Sequence, residues 1–153
     1  MNHDRIGHAG CNSIAVTTVV VLLALSVLSL LLIGAHSEDR KRQQASADHV
    51  AQTMKLAISA EHQVWSSDKQ FSESMARLAG LEPELESLLA ESSLVKKELK
   101  VRNGQQSVSI DFSAYSYGHD THARAQLRSG RLISVACGGM GAGCPSSLKS
   151  LVE

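Results

Sequence analysis

Residues 14–33 form a run of twenty without a charged side chain, and no other feature so narrows what this chain can fold into. At 1.5 Å per residue a helix of that length spans about 30 Å, the hydrocarbon thickness of a bilayer. Seven leucines, five valines and two isoleucines fill the run. Each favours insertion by roughly 0.3–0.6 kcal/mol at the helix centre. Thr17, Thr18, Ser26 and Ser29 interrupt it only with hydroxyls, which bond back to helix carbonyls. A buried core helix is usually shorter and apolar on one side, whereas this run is apolar all round. A transmembrane helix is expected over residues 11–35, after a short polar leader, 1–10.

Two secretory readings compete with it. Ala35-His36-Ser37 has the small-x-small form of a signal-peptidase site, but the apolar stretch exceeds the roughly 7–15 residues of a signal core. Arg5 is the one Lys or Arg in the segment before it. Ala9-Gly10-Cys11 precedes the apolar run, where a lipoprotein cysteine would follow it, so lipidation at Cys11 is not expected.

What remains of the 153 residues suffices for one small domain with a modest core. Net charge is zero and aromatic residues make up 3%, so base stacking would have little to work with and no nucleic-acid surface is advertised. Orientation is contested within the sequence itself. Arg40, Lys41 and Arg42 follow the apolar run, and by the positive-inside rule they draw the C-terminal part to the cytoplasm. Cys137 and Cys144 pull the other way. Gly138, Gly139, Gly141 and Gly143 lie between them, a loop supple enough to join the sulfurs, and disulfides persist mainly outside the cytoplasm. Two free thiols are the alternative.

Past the membrane segment the pattern becomes one-sided. Ala47, Val50, Ala51, Met54, Ala57, Ile58 and Trp65 recur at helical spacing, with Gln52, Lys55 and Ser59 between them. No proline or glycine interrupts residues 35–65, so one helix over about residues 13–65 is predicted, with its amphipathic half, 36–66, laid on a domain. Phe71, Met75 and Leu78 up to Gly80, then Leu85, Leu88 and Leu89 after Pro83, predict two short helical pieces. From Leu94 the period changes to two. Leu99 and Val101 alternate with Lys100 and Arg102, Asn103-Gly104 supplies a type I′ turn, and Val108, Ile110 and Phe112 alternate on the return. That register sets Leu99 against Val108 and Val95 against Phe112. A second hairpin is expected at Ser129-Gly130, with Leu127 opposite Leu132, and Ile133 and Val135 on the other face.

The fold class that follows is α+β: a long N-terminal helix, its first half transmembrane, packed on a small antiparallel sheet of about four strands. Residues 67–153 hold the helical connection, the sheet and a glycine-rich C-terminal loop. In this arrangement the chain resembles a type IV pilin or pseudopilin. The resemblance is carried by the ten-residue leader ending in Gly10, the helix-forming run from Ser13, the hairpin within 95–112 and the Cys137–Cys144 loop.

It implies processing between Gly10 and Cys11 by a prepilin peptidase, and a bacterial inner-membrane protein, single pass, with its C-terminal domain extracytoplasmic. It also implies assembly with other pilin-like subunits through Ile14, Val16, Val20, Leu23, Val27 and Leu30. Membrane lipid and inner-membrane assembly proteins are the further partners. The family has a glutamate at the fifth mature position, where this chain has Ala15, so a minor or tip subunit is implied over a major one. A single-pass protein with an extracytoplasmic sensing or scaffolding domain, residues 40–65 being its connecting helix, is the alternative.

Catalysis is not expected. Ser66/Lys69, Ser93/Lys96 and Ser146/Lys149 each fit a serine-lysine spacing, but a serine-rich chain yields such pairs by chance. His119, Asp120 and His122 are read as solvated turn residues because no second cluster with ligand spacing accompanies them. The glycines at 138–143 lack the Gly-Lys-Ser/Thr of a phosphate loop. Glu61 and His62 fall on the presumed helix with no partner of obvious chemistry. No cofactor or metal is expected.

Overall fold

The computed structural model describes residues 9–116, 119–140 and 143–152. The elements are α1 (Ala9–Asp68), α2 (Met75–Leu81), α3 (Pro83–Glu91), β1 (Leu94–Arg102), β2 (Gln105–Ser116), β3 (His119–Arg128), β4 (Arg131–Gly138) and α4 (Ser146–Lys149). The chain divides into two compact units, Met1–Asp39 and Arg40–Glu153. A long N-terminal helix with a four-stranded antiparallel sheet packed on its later part makes this an α+β protein, as the periodicities predict.

Helix α1 runs further than predicted at both ends, from Ala9 and to Asp68. Its C-terminal stop is not a glycine: Lys69 takes the left-handed region at φ 57°, and its N–H reaches the Trp65 carbonyl at 3.0 Å. A lysine in that conformation is not a signal that sequence reading recognises. The following segment is pinned by side chains. Gln106 Oε1 accepts the Phe71 N–H at 2.9 Å, and the Ser74 hydroxyl caps α2 by accepting from the Arg77 N–H at 3.3 Å. Pro83 opens α3, where its missing N–H costs nothing.

The sheet has strand order β1-β2-β3-β4, each pair antiparallel. Leu99 faces Val108 and Val95 faces Phe112, the predicted register. Asn103 and Gly104 carry φ of 52° and 76°, and Ser129 and Gly130 repeat the arrangement at 48° and 78°, so both hairpins turn through paired positive φ angles. In the second hairpin Leu127 does face Leu132, but Val135 pairs with Ala125 and so shares the inner face with them. The expectation for Val135 is corrected by a bulge: Gln126 pairs with Ser134 while Leu127 pairs with Leu132, leaving Ile133 as the extra residue that resets the alternation. Ile133 points out, 51% exposed.

The core lies between that inner face and the later part of α1. Ala47, Val50, Ala51, Met54, Ala57, Ile58 and Val64 bury against Val108, Ile110, Phe112, Ala123, Ala125 and Leu127, with Leu78, Leu85 and Leu148 closing the sides. Gln52, Lys55 and Ser59 are exposed, as the stripe requires. Trp65 covers the second hairpin: its ring lies 4.7 Å from that of Phe71, and it occupies the space a Cβ on Gly130 would take. Gly104 has open space around it at nearly the same φ. Gly104→Ala therefore costs about 1 kcal/mol of backbone strain. Gly130→Ala costs roughly 2 kcal/mol, because the indole must also move. Thermal unfolding of the two variants reads the difference.

Candidate functional site

Among the described residues one helix is long and apolar enough to cross a bilayer, and its apolar part lies near the N-terminus. Every large apolar side chain from Val16 to Ile33 is at least half exposed, from Val21 at 51% to Leu30 at 69%. Its serines are satisfied within the helix: Ser26 Oγ donates to the Leu23 carbonyl, Ser29 Oγ to Leu25 and Ser37 Oγ to Gly34, each at 2.8 Å. These hydroxyls make no demand for a partner on the apolar surroundings.

Of the residues implied for helix packing, Val16, Val20, Leu23, Val27 and Leu30 all belong to this exposed surface. Gly10 and Cys11 lie within α1. The side chains of Cys11 and Ile14 fall outside the described residues, as do residues 1–8 of the leader.

At the far end of the sheet Cys137 and Cys144 form a disulfide, Cα atoms 5.1 Å apart. The loop is docked as well as closed. Met140 is buried, and Gln43 Nε2 donates to the Gly139 carbonyl at 2.9 Å, tying the loop to α1. Gly139, at φ 69°, sits where a Cβ would meet the Asp120 carbonyl, so only glycine lets the chain pass this close to β3. Residues 141 and 142 of the loop fall outside the described residues. Pro145 then leads into α4, whose Leu148 enters the core.

One polar feature was not foreseen. Glu61, read as a helix residue without a partner, is fully buried and ion-paired with Lys97 Nζ from β1, the two side chains 0% and 4% exposed. Its second oxygen accepts the Ser72 N–H at 3.1 Å. The signal was in the periodicity. Glu61 lies four residues from Ala57 and from Trp65, on the apolar stripe, and Lys97 stands between Val95 and Leu99 on the inner face. Opposite charges at core positions of two facing elements are legible as a pair once both periods are assigned. Burial pushes the Lys97 ammonium below its ordinary range, with the Glu61 carboxylate opposing that shift.

Among the described residues each of the remaining ion pairs has at least one partner at the surface. Arg77 hydrogen-bonds Asp68 and holds its carboxyl below the usual range; Lys96 does the same for Glu98. Both carboxylates thus favour the folded state above their unfolded values, and the contribution is lost as pH falls through the folded ones. Arg77→Ala returns Asp68 toward the ordinary carboxylate value, and carboxyl-carbon NMR titration registers the rise.

Chemistry at the other candidates is limited. His122 and Asp120 are on strand β3 rather than a turn, which corrects the expectation, because strand pairing with β2 extends to His119. The His122 ring lies where a Cβ on Gly138 would be. The His119 side chain falls outside the described residues. No group of three or more His, Cys, Asp or Glu is placed to hold a metal ion among the described residues. Two of the serine-lysine candidates have their hydroxyls engaged elsewhere: Ser66 Oγ donates to the His62 carbonyl and Ser93 Oγ to the Ser113 carbonyl. His49 comes near both Glu91, at 3.8 Å, and the Ser92 hydroxyl, at 3.3 Å. That hydroxyl donates to the Leu88 carbonyl at 2.9 Å. Its proton is therefore not available to the ring, and the contact serves to tie α1 to the end of α3.

No protein-family model, curated protein or solved structure matches the chain.

Proposed function

We propose that this chain is a pilin-like structural subunit, anchored by α1 in the bacterial inner membrane with its sheet-bearing domain extracytoplasmic, and assembled into a filament of the type IV pilus or type II secretion kind. The observation that carries this reading is α1 itself: one helix, apolar and exposed all round over residues 16–33, that goes on to form the core of an α+β head. A helix of that surface is stable in lipid, or packed against copies of itself, and in no aqueous setting. Assembly exchanges one apolar environment for the other. The disulfide loop at the C-terminal end supports an extracytoplasmic head, and the resemblance supports the filament.

Ala15 favours a second reading. In a filament the family's glutamate offsets the N-terminal ammonium of a neighbouring subunit, and alanine has no charge with which to do so. A low-copy priming or capping subunit meets that condition; so does a single-pass protein whose head senses or scaffolds partners. N-terminal sequencing of the membrane-extracted protein separates them. A chain beginning at Cys11, above all with a methylated amine, is the expected result. An intact Met1 overturns the filament reading in favour of the single-pass one, and a start after Ala35 or Ser37 overturns both in favour of secretion.

A further inference from the structure

The chain has no net charge, yet cations gather at one end of the sheet's outer face, beyond the Lys96–Glu98 and Arg124–Asp111 pairs. On the sheet, Leu99, Val108 and Leu127 face α1, so their neighbours Lys100, Ser107 and Arg128 face away from it. Lys100 pairs with Ser107, Ser107 with Arg128 and Arg128 with Arg131, which makes a single row across all four strands. At about 4.8 Å between strands the row is about 14 Å long and holds three cations. Arg102 adds a fourth one step along β1. No acidic residue occurs between Glu98 and Asp111, or between Asp120 and Glu153. Among the described residues Arg102, Arg128 and Arg131 have no ion-pair partner, and Lys100, 74% exposed, has only a 3.7 Å approach to Glu98. Arg128 and Arg131 stand directly opposite each other, and like charges so placed on adjacent strands destabilise a sheet. That pair is therefore maintained at a cost to the isolated head.

The opposite layer carries the complement. From Glu73 to Glu91 the sequence has five glutamates against Arg77 alone, and Arg77 is paired with Asp68. Leu85 of α3 is buried, while Glu84 and Glu86 are exposed. Gln52 and Gln63 of α1 hydrogen-bond Glu84 and Glu82, which sets this acidic helix on the helical side of the head. Among the described residues no cation pairs with Glu73, Glu82, Glu84 or Glu86.

We propose that the basic row of one subunit, Lys100, Arg102, Arg128 and Arg131, docks on the acidic α3 face of a second copy of this chain. The contact is heterologous, sheet layer to helix layer, so each subunit keeps one free face of each sign and the arrangement propagates. It rests on the filament reading and adds to it the surface by which heads choose their neighbours and their direction. Net neutrality with segregated charge is what repeated self-docking needs. A protein that used the row to hold some other polyanion would have no use for a matching acidic face.

The test uses the full-length chain in lipid vesicles, equal parts unlabelled and 15N-labelled, treated with a zero-length carbodiimide coupler. Mixed-isotope cross-links from Lys100 to Glu82 or Glu91 are the readout, since no variant alters those residues. Lys96–Glu98, within one chain, is the internal control. Arg128→Glu with Arg131→Glu reduces the mixed-isotope yield about tenfold, as does Glu84→Lys with Glu86→Lys, and all four together restore it. The wild-type yield falls with added salt.

A yield indifferent to these reversals overturns the proposal while copies still co-sediment after mild detergent extraction, and the filament reading then stands. Loss with the arginine reversal but not with the glutamate reversal, and no restoration, also overturns it, in favour of a different polyanionic partner. Chains that neither cross-link nor co-sediment overturn the filament reading itself.

Discussion

Lys97→Met lowers the unfolding free energy of the head by about 3–5 kcal/mol, the cost of leaving a carboxylate buried without its counter-ion. Glu61 is fully buried, so water does not replace the ammonium, and its remaining contact with the Ser72 N–H supplies only one of the hydrogen bonds an ionised carboxylate demands. The companion variant, Glu61→Gln with Lys97→Met, removes both charges and keeps an acceptor for the Ser72 N–H. It recovers more than half of the loss. Urea unfolding of the detergent-solubilised chain, followed by far-ultraviolet circular dichroism, measures both, and equal destabilisation by the single and double variants would show that charge burial is not the cause. The pair ties α1 to β1 through the core, as the Ser46 hydroxyl, bonded to Thr121 and the Ala114 carbonyl, ties it to β3 and β2.

Cys137→Ser with Cys144→Ser costs about 2.5 kcal/mol, the chain-entropy value for so short a closed loop. Thermal unfolding with and without reductant provides the measurement, and a midpoint unmoved by reduction would contradict it. The consequences are local. Without the bridge, Met140 and the Gln43 contact to the Gly139 carbonyl must hold the loop on α1 unaided, so backbone amides of residues 137–140 should exchange faster with solvent before any change reaches β2.

Much of this architecture is legible from the sequence because each part repeats with a period of its own. The stretch 14–33 has no polar side at all, Ala47 to Ile58 repeats every three or four residues, and residues 95–112 alternate around Asn103-Gly104. Where reading failed, a single residue broke the rule that surrounds it. Lys69 ends α1 in a conformation usually left to glycine. Ile133 adds one residue to β4, and every inward or outward assignment after it reverses. Glu61 was misjudged because it was weighed alone, and a charge weighed alone is assigned to solvent; Lys97, its partner, was not singled out at all. The basic row of the sheet was hidden for a related reason. Lys100, Arg128 and Arg131 are scattered in sequence and become neighbours only when three strand registers are known together.

The four strands stand in space in the order in which they are made, joined where the turns are described by two-residue loops. Each new strand finds its hydrogen-bonding partner immediately upstream, and no strand waits for one not yet synthesised. The helix that covers their apolar face precedes all of them. On a chain growing from its amino terminus, each hairpin thus meets a completed floor on which to settle, and the interval during which a sticky half-sheet lies open to its surroundings is short.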